Sequence, residues 1–582
     1  MKKKILGIFV CMLLIATALP IIGTAENIEI KYSLSFLLDT YDYVIITTSS
    51  LESALASFKD WKEAIGYSVK IVNVSWISSH YTGWDLVETI RNFLIDKYSE
   101  WSIDYVLIVG SISFVPMRYC FPNPNDLSTV TPTDYYYADL SSNWDSDGDG
   151  NYGEYGHDYP DFNAEVLVGR IPIDNPNIVE DICQKIIEYE QDDGLWKKKA
   201  LSLGAILYYA NENHEDIKRL DSAVLMEELR DEVYNPNGFS QTTMYEFSGL
   251  DPSNYSCDYA LNHANVMTCW PEGYGIVDID AHHYWTEDCS KRRVWAWDDG
   301  DGVPEDPELS EPIFLCSTDN ISLDNNKPSI VFNGGCTSAR PENLNNLGKS
   351  LLVHGAIAYI GATRVPRVRS FWDDESRGGG FSIEYYFMKN IINNGQTFGE
   401  ALCNCKSYYR ENLFFLGWGD YQNLYTFNLY GDPTVSLTVI NPPSNLHCEG
   451  NLNWTGVKPG STVTGNFTVR NVGYNDSLLD WEIIDQPGWG KWTFNPQSGV
   501  DLAIEDGDVI VEVTCKVPNV KNDELNGRVR IENLENPDDY CVLDVAIITP
   551  KNKPFIFNFP LLNWLFERFP NAFPILRYIV EH

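Results

Sequence analysis

From Tyr41 onward, short apolar runs alternate with longer stretches in which apolar residues recur every three or four positions. Tyr43 to Thr48, Ser68 to Asn73 and Tyr105 to Gly110 have the length and β-branched content of buried strands, whereas Glu52 to Ile65 and Trp84 to Tyr98 carry the helical period. The alternation continues with a strand at Glu165 to Ile171, a helix near Ile178 to Gln191, a strand at Ala200 to Ile206 and a helix near Ser222 to Val233. Such text predicts an α/β fold with a mostly parallel sheet covered on both faces. Two further apolar runs, Gly275-Ile-Val-Asp-Ile-Asp-Ala and Pro328-Ser-Ile-Val-Phe-Asn-Gly-Gly, end on His282 and Cys336. A helix near Leu347 to His354, a strand at Ala356 to Gly361 and helices between Phe381 and Tyr409 complete this part.

Asn441-Pro-Pro-Ser marks a boundary. Beyond it the helical period disappears, and Ser461 to Arg470, Val509 to Val517 and Tyr540 to Ile548 read as strands of an immunoglobulin-like β-sandwich over residues 445–550. Of its three cysteines, Cys448 and Cys541 would tie the first strand to the last. A Phe/Leu-rich tail over 554–582, interrupted by Pro560, Pro570 and Pro574, is too broken to span a bilayer and reads as amphipathic. Surface attachment and packing on the sandwich are both open to it. At the other end, residues 1–25 combine Lys2-Lys-Lys, an apolar run from Ile5 to Ile22 and Gly23-Thr-Ala, the pattern of a secretory signal peptide, with an uncleaved anchor as the alternative.

A strand that stops at a turn delivers its last side chain to the carboxyl edge of an open α/β sheet, so His282 and Cys336 can share one crevice. Gly334 and Gly335, before the thiol, would leave room for a substrate backbone. Each residue alone has a plainer reading, a buried structural thiol or a satisfied histidine. Their order, with Thr131-Pro-Thr-Asp-Tyr-Tyr-Tyr, the acidic loop from Asp145, Ala164-Glu-Val-Leu-Val-Gly-Arg-Ile-Pro and Leu429-Tyr-Gly-Asp-Pro-Thr, resembles the gingipain-type family of the caspase-like clan of cysteine peptidases. The resemblance covers roughly Tyr41 to Leu437.

That resemblance implies two caspase-like α/β/α subdomains, over 41–200 and 201–437, although strand spacing alone equally fits one large doubly wound sheet. It implies a secreted endopeptidase acting on protein or peptide substrates, with Cys336 as nucleophile and His282 as base and acid. The backbone amides of His283 and Cys336 would bind the oxyanion, and Glu165 of the Glu-x-x-x-Gly-Arg segment would orient the imidazole. Asp280 is a minor candidate expected to face away, and Asp174 or Asp181 would supply a carboxylate to a pocket for basic side chains. One departure stands out: family members usually carry Gly where this chain has His283. A side chain there could alter the turn that aims the amide, so the competing reading is an inactive calcium-binding surface or adhesion protein on the same scaffold.

Asp145-Ser-Asp147-Gly-Asp149-Gly-Asn151-Tyr-Gly-Glu154 places oxygen ligands at alternate positions around glycines, which suits calcium held structurally. The twelfth position, where an EF-hand has its bidentate carboxylate, is Gly156, so Glu154 would close the loop. A second run with Asp299 and Asp301 has the same chemistry in looser spacing. The formal charge of −40 argues against nucleic acid or anionic membrane as a partner and for an exported acidic surface. The 13 cysteines include Cys11 in the leader and Cys336, which leaves an odd number and therefore at least one that cannot pair within the chain. None has zinc spacing.

Overall fold

The computed structural model describes residues 40–413, 417–550 and 560–569. The expected signal segment and most of the tail lie outside them. Eleven strands build one central sheet: β1 (Tyr43–Thr47), β2 (Val69–Asn73), β3 (Tyr105–Val109), β4 (Leu167–Ile171), β5 (Lys199–Gly204), β6 (Ser240–Tyr245), β7 (Tyr259–Ala260), β8 (Ile276–Asp280), β9 (Ser329–Asn333), β10 (Ala356–Ala362) and β11 (Phe427–Tyr430). Their spatial order is β7-β6-β5-β8-β9-β10-β11-β4-β3-β1-β2. The two α/β halves expected from the resemblance thus share one sheet, and β11, from the end of the second half in sequence, joins β4 of the first.

Every pairing in this sheet is parallel except β10 with β11. That single reversal makes β1 to β4 run opposite to β8 and β9. The carboxyl ends of the two halves therefore open on opposite edges of the sheet. Strands β1, β8, β9 and β10 are buried along their whole length, as near-continuous apolar runs between helical layers should be.

A buried charge cluster pins the first helix to the body. Lys62, on the helix Ala56–Ala64, donates to Glu190 Oε1 at 2.7 Å, lies 2.8 Å from Asp432 Oδ2 and donates to Thr434 Oγ1 at 2.9 Å. Trp61 Nε1 donates to Glu190 Oε2 and the Tyr43 hydroxyl to Asp432 Oδ1, both at 2.7 Å. The two carboxylates hold the Lys62 ammonium protonated against the penalty of burial.

Beyond residue 441 a four-stranded and a five-stranded sheet form a β-sandwich around Phe467, Val469, Trp481, Val511, Val529 and Ile547. Cys448, in the strand Leu446–Gly450, and Cys541, in the strand Tyr540–Ile548, form a disulfide that links the two sheets. Trp61 of the α/β body meets Tyr474 of the sandwich with ring centroids 4.8 Å apart. In the tail, a helix spans Pro560–Arg568 with Leu561 and Trp564 exposed. Among the described residues no helix is long and apolar enough to cross a membrane.

Removing the Lys62 ammonium leaves two buried carboxylates without a cation. Lys62→Met should lower the unfolding free energy by about 3–5 kcal/mol in urea titrations, and adding Glu190→Gln and Asp432→Asn should recover part of that loss.

Candidate active site

Strands β8 and β9 pair in parallel register from Ile276 with Ile330 to Ile279 with Asn333. The Gly334 amide extends the ladder by donating to the Ile279 carbonyl at 2.9 Å, so His282 and Cys336 leave the sheet side by side at its carboxyl edge. The two glycines make that approach feasible. A Cβ on Gly334 would lie 2.0 Å from Asp280 Oδ1, and one on Gly335 would lie 2.9 Å from His283 Cβ. Their vacant side-chain space is filled by the neighbouring strand rather than kept for substrate. Asn333 Oδ1 accepts the Gly335 amide at 2.8 Å, and Thr337, at a positive φ of 57°, donates its hydroxyl to the Cys336 carbonyl at 2.6 Å. The turn carrying the thiol is therefore held from both sides.

The two imidazoles occupy different environments. His282 Nε2 lies 3.1 Å from the Leu207 carbonyl oxygen. A carbonyl only accepts, so Nε2 carries the proton and Nδ1 keeps its lone pair. Burial, helped by the Arg293 guanidinium, lowers the His282 pKa and favours this neutral tautomer at physiological pH. His283 is buried, with Nδ1 3.3 Å from Ser290 Oγ and Nε2 without a partner, and burial pushes its pKa down to about 4. It stands in a three-stranded flap formed by His282–Tyr284, Cys289–Lys291 and Ile313–Cys316, which a Cys289–Cys316 disulfide closes.

Cys336 is half-buried and unpaired. Burial pushes its thiol pKa up to about 11, with the Arg367 guanidinium opposing the rise. Among the described residues no hydrogen bond joins the thiol to either imidazole, so in this state it is neutral.

Glu165 is engaged elsewhere. Its Oε2 accepts the amides of Leu140 at 2.6 Å and Ser141 at 3.1 Å, and it precedes β4, four strands from β8 or about 19 Å at the usual strand spacing. The polar contact of His282 Nε2 is the Leu207 carbonyl. A backbone oxygen leaves no mark in residue identity, so sequence reasoning could not single it out. Asp174 accepts the Ser111 amide and hydroxyl, each at 2.7 Å, just beyond the carboxyl end of β4. That is the edge of the sheet opposite to Cys336. Asp181 is exposed on the helix Pro176–Gln191.

Asp280 does face away from solvent and from the imidazoles, into a buried carboxyl group that sequence reasoning did not foresee. Asp278 and Asp280 share one face of β8, and Glu384 on the helix Gly380–Asn393 meets Asp280 there. Asp278 accepts the Ser202 and Tyr234 hydroxyls at 3.0 and 2.7 Å. Burial raises Asp278 to about 7, Asp280 to about 6 and Glu384 well above the carboxyl range, so this group holds protons beneath the site. The alternation Asp-Ile-Asp at the end of an apolar run was the available signal.

The first acidic loop gathers its side chains. Single oxygens of Asp145, Asp147 and Asp149 converge within 4.8 Å of one another, as do donor atoms of Asp147, Glu154 and His157. Asp145 Oδ1 and the buried Glu154 Oε2 have no hydrogen-bond partner, and Asp158, unnoticed in the sequence, caps the Ser146 and Glu154 amides at 2.5 and 3.0 Å. Asn151 donates its amide to Asp149 at 2.8 Å. Orphaned carboxylate oxygens inside an oxygen-rich loop fit a hard divalent cation. In the second loop Asp298, Asp299 and Asp301 converge as well, but Glu308 there already accepts the Asp299 amide at 2.7 Å and Trp295 Nε1 at 3.1 Å. His214 Nε2 sits 3.0 Å from Glu305 and 3.5 Å from Asp301.

Between about pH 4, where unfolded carboxyls ionise, and about pH 7, folded Asp278 and Asp280 keep protons that unfolding releases, so these groups make stability fall as pH rises. Asp280→Asn should lose less unfolding free energy than the parent between pH 5 and pH 7.5 in urea titrations; equal losses would refute the protonated state.

With this geometry in place, comparison with known proteins fixes the family. A search of curated proteins found no match. Among solved structures the chain is similar to the Arg specific cysteine proteinase gingipain R, at 14% identity and a TM-score of 0.48 over 88% of this chain and 98% of that one. It is similar also to the complex of pro- and mature domains of RgpB from Porphyromonas gingivalis, at 16% identity and a TM-score of 0.45 over 87% and 99% of the two chains. The dimeric latent PorU of the same organism is matched at 13% identity and a TM-score of 0.33, over 89% of this chain and 44% of that one. Residues 37–438 match the sequence profile of peptidase family C25. Because that match runs through most of the chain and includes both β8 and β9, the protein belongs to peptidase family C25 and is a cysteine-type peptidase.

Proposed function

We propose that the protein is an exported endopeptidase in which Cys336 and His282 form the catalytic dyad. The observation that carries this reading is the Leu207 carbonyl on His282 Nε2, which leaves Nδ1 as a base on the strand end adjacent to that of the thiol. Nδ1 takes the thiol proton as sulfur attacks the scissile carbonyl carbon, and the carbonyl π pair moves onto oxygen. The amides of Cys336 and His283 stabilise that oxyanion; any residue but proline supplies an amide, so His283 fills this role through its backbone. Collapse of the tetrahedral intermediate expels the amine, which takes the proton back from Nδ1, and water then hydrolyses the thioester through the same base. A thiol as weakly acidic as Cys336 makes proton removal concerted with attack rather than prior to it.

Glu165 has a structural part in this scheme, as the cap of the Leu140–Ser141 turn. Calcium held by Asp145, Asp147, Asp149, Asn151 and Glu154 would stiffen the first half, and the Asp299 and Asp301 loop would hold a second ion. Residues 1–25 would direct export, and the exposed apolar residues of the Pro560–Arg568 helix would serve surface attachment.

Cys336→Ala should abolish cleavage of a mixed peptide library read by mass spectrometry, and His282→Ala should lower kcat/KM by about 10³-fold or more. Glu165→Gln should change kcat/KM less than about threefold, since its carboxylate does not orient the base. Because His282 titrates below the ordinary imidazole value, the acid limb of kcat/KM should fall below pH 6.5. Chelation should lower the thermal midpoint, with calcium restoring it and Glu154→Gln weakening that recovery. A folded, calcium-bound chain that cleaves nothing would instead be the inactive surface scaffold.

A further inference from the structure

Five arginines surround the edge that carries Cys336. In a chain with 82 acidic and 42 basic residues, an arginine has little difficulty finding a carboxylate. Arg293 pairs with Glu212 and Asp306, Arg340 and Arg364 with Glu342, and Arg369 with Asp420. Arg367 is the exception. No described carboxylate forms an ion pair with it, and its Nε is given only to Gln422 Oε1 at 3.3 Å.

The position of Arg367 is nonetheless fixed. Its amide donates to Asn423 Oδ1 at 2.6 Å, and its carbonyl accepts Asn423 Nδ2 at 2.8 Å and the Gly380 amide at 3.0 Å. Its guanidinium lies over the Trp418 ring, 4.8 Å from the centroid, and its stem passes so close to Gly419 that a Cβ there would be 3.2 Å from Arg367 Cγ. The segment that carries it leaves β10 beside the nucleophile turn, where the Thr337 amide donates to the Arg364 carbonyl at 3.2 Å. The guanidinium is near enough to oppose the rise of the Cys336 pKa, and both groups act on the hydroxyl of Tyr208, the residue after Leu207. An oriented, exposed guanidinium backed by an aromatic ring is thus held within electrostatic reach of the thiol, on the segment bonded to the Thr337 amide, with no ion-paired carboxylate.

Building on the Cys336 peptidase reading, we infer that Arg367 selects substrates with a carboxylate side chain, Asp or Glu, on the acyl side of the scissile bond. A planar guanidinium satisfies a carboxylate through two parallel hydrogen bonds, and the Trp418 and Tyr208 rings would shield that pair from water. Two carboxylates compete at the site: Asp126, which is within electrostatic reach of Arg367 but forms no ion pair with it and gives Oδ1 to the Ser128 amide at 2.9 Å, and Glu311, exposed on the His282 side, whose Oε1 is taken by the Tyr284 hydroxyl at 2.5 Å. Asp174 and Asp181, the carboxylates offered for a basic pocket, stand away from this edge.

The test uses the full mature chain with calcium. Peptide-library cleavage should favour Asp or Glu before the cut, and Arg367→Gln should lower kcat/KM for those peptides by about 30-fold or more while altering Asn and Gln counterparts by less than about threefold. Cleavage after Arg or Lys, or an acidic preference that survives Arg367→Gln, would overturn the assignment. A readout independent of turnover is the rate of Cys336 alkylation by iodoacetate relative to iodoacetamide, followed by mass at that residue. Arg367→Gln should lower this ratio about fivefold or more, with Arg367→Lys restoring most of it. An unchanged ratio would defeat the anion site even in an active peptidase. A changed ratio in a chain that cleaves no peptide would defeat the peptidase reading and leave the anion site standing.

Discussion

The site depends on how closely two parallel strands can run past their last ladder bond. Ordinary residues after Asn333 would force the thiol strand away from the histidine strand, because Asp280 and His283 already fill the space that side chains at 334 and 335 would need. Glycine at both places lets the backbone approach, and the burial of Asp280 against Glu384 then becomes part of the same contact. The same two residues thus set both the strand packing and the spacing between Cys336 and the histidines. This also explains why carboxyl groups lie directly under a site that does not use them: they fill the layer between β8 and the helix Gly380–Asn393, and burial keeps them protonated.

The reversal between β10 and β11 governs what can reach the thiol. If the first half ran with the second, its carboxyl-end loops, including Asp174, would share the edge of Cys336. Antiparallel pairing sends them to the far edge. The edge near Cys336 is furnished mainly by the second half, with the Leu207 carbonyl on one side and the segment from Arg364 to Arg369 on the other, and the first-half loop adds contacts from Val130 to Arg364 and from Pro132 to Thr363. The hydrogen-bond partner of His282 is a backbone oxygen, which needs no desolvated carboxylate.

Cysteine usage follows burial more than pairing. Cys120, Cys183, Cys269, Cys403, Cys405 and Cys515 are unpaired and buried, and the disulfides among the described residues lie across the sandwich and in the flap beside His282. A flap of three short strands has little core of its own, so a covalent tie restrains the loop that carries His282 and His283.

Much of this protein could be read without coordinates. Hydrophobic periodicity marked β1 to β5, β8 to β10 and three strands of the sandwich to within a few residues, because buried parallel strands and amphipathic helices write distinct periods into the chain. Residue chemistry singled out Cys336, His282 and the acidic loops, and the cysteine count allowed the Cys448–Cys541 bridge. Periodicity left one sheet and two equally open and gave no sign of the reversed joint or the return of β11 beside β4, since strand order and direction are settled by long-range packing. Nor could it assign Glu165 to a turn, find Glu384 beneath Asp280, or show that Arg367 lacks an acidic partner. Those facts arise from segments far apart in sequence, and only the folded chain brings their atoms within bonding distance.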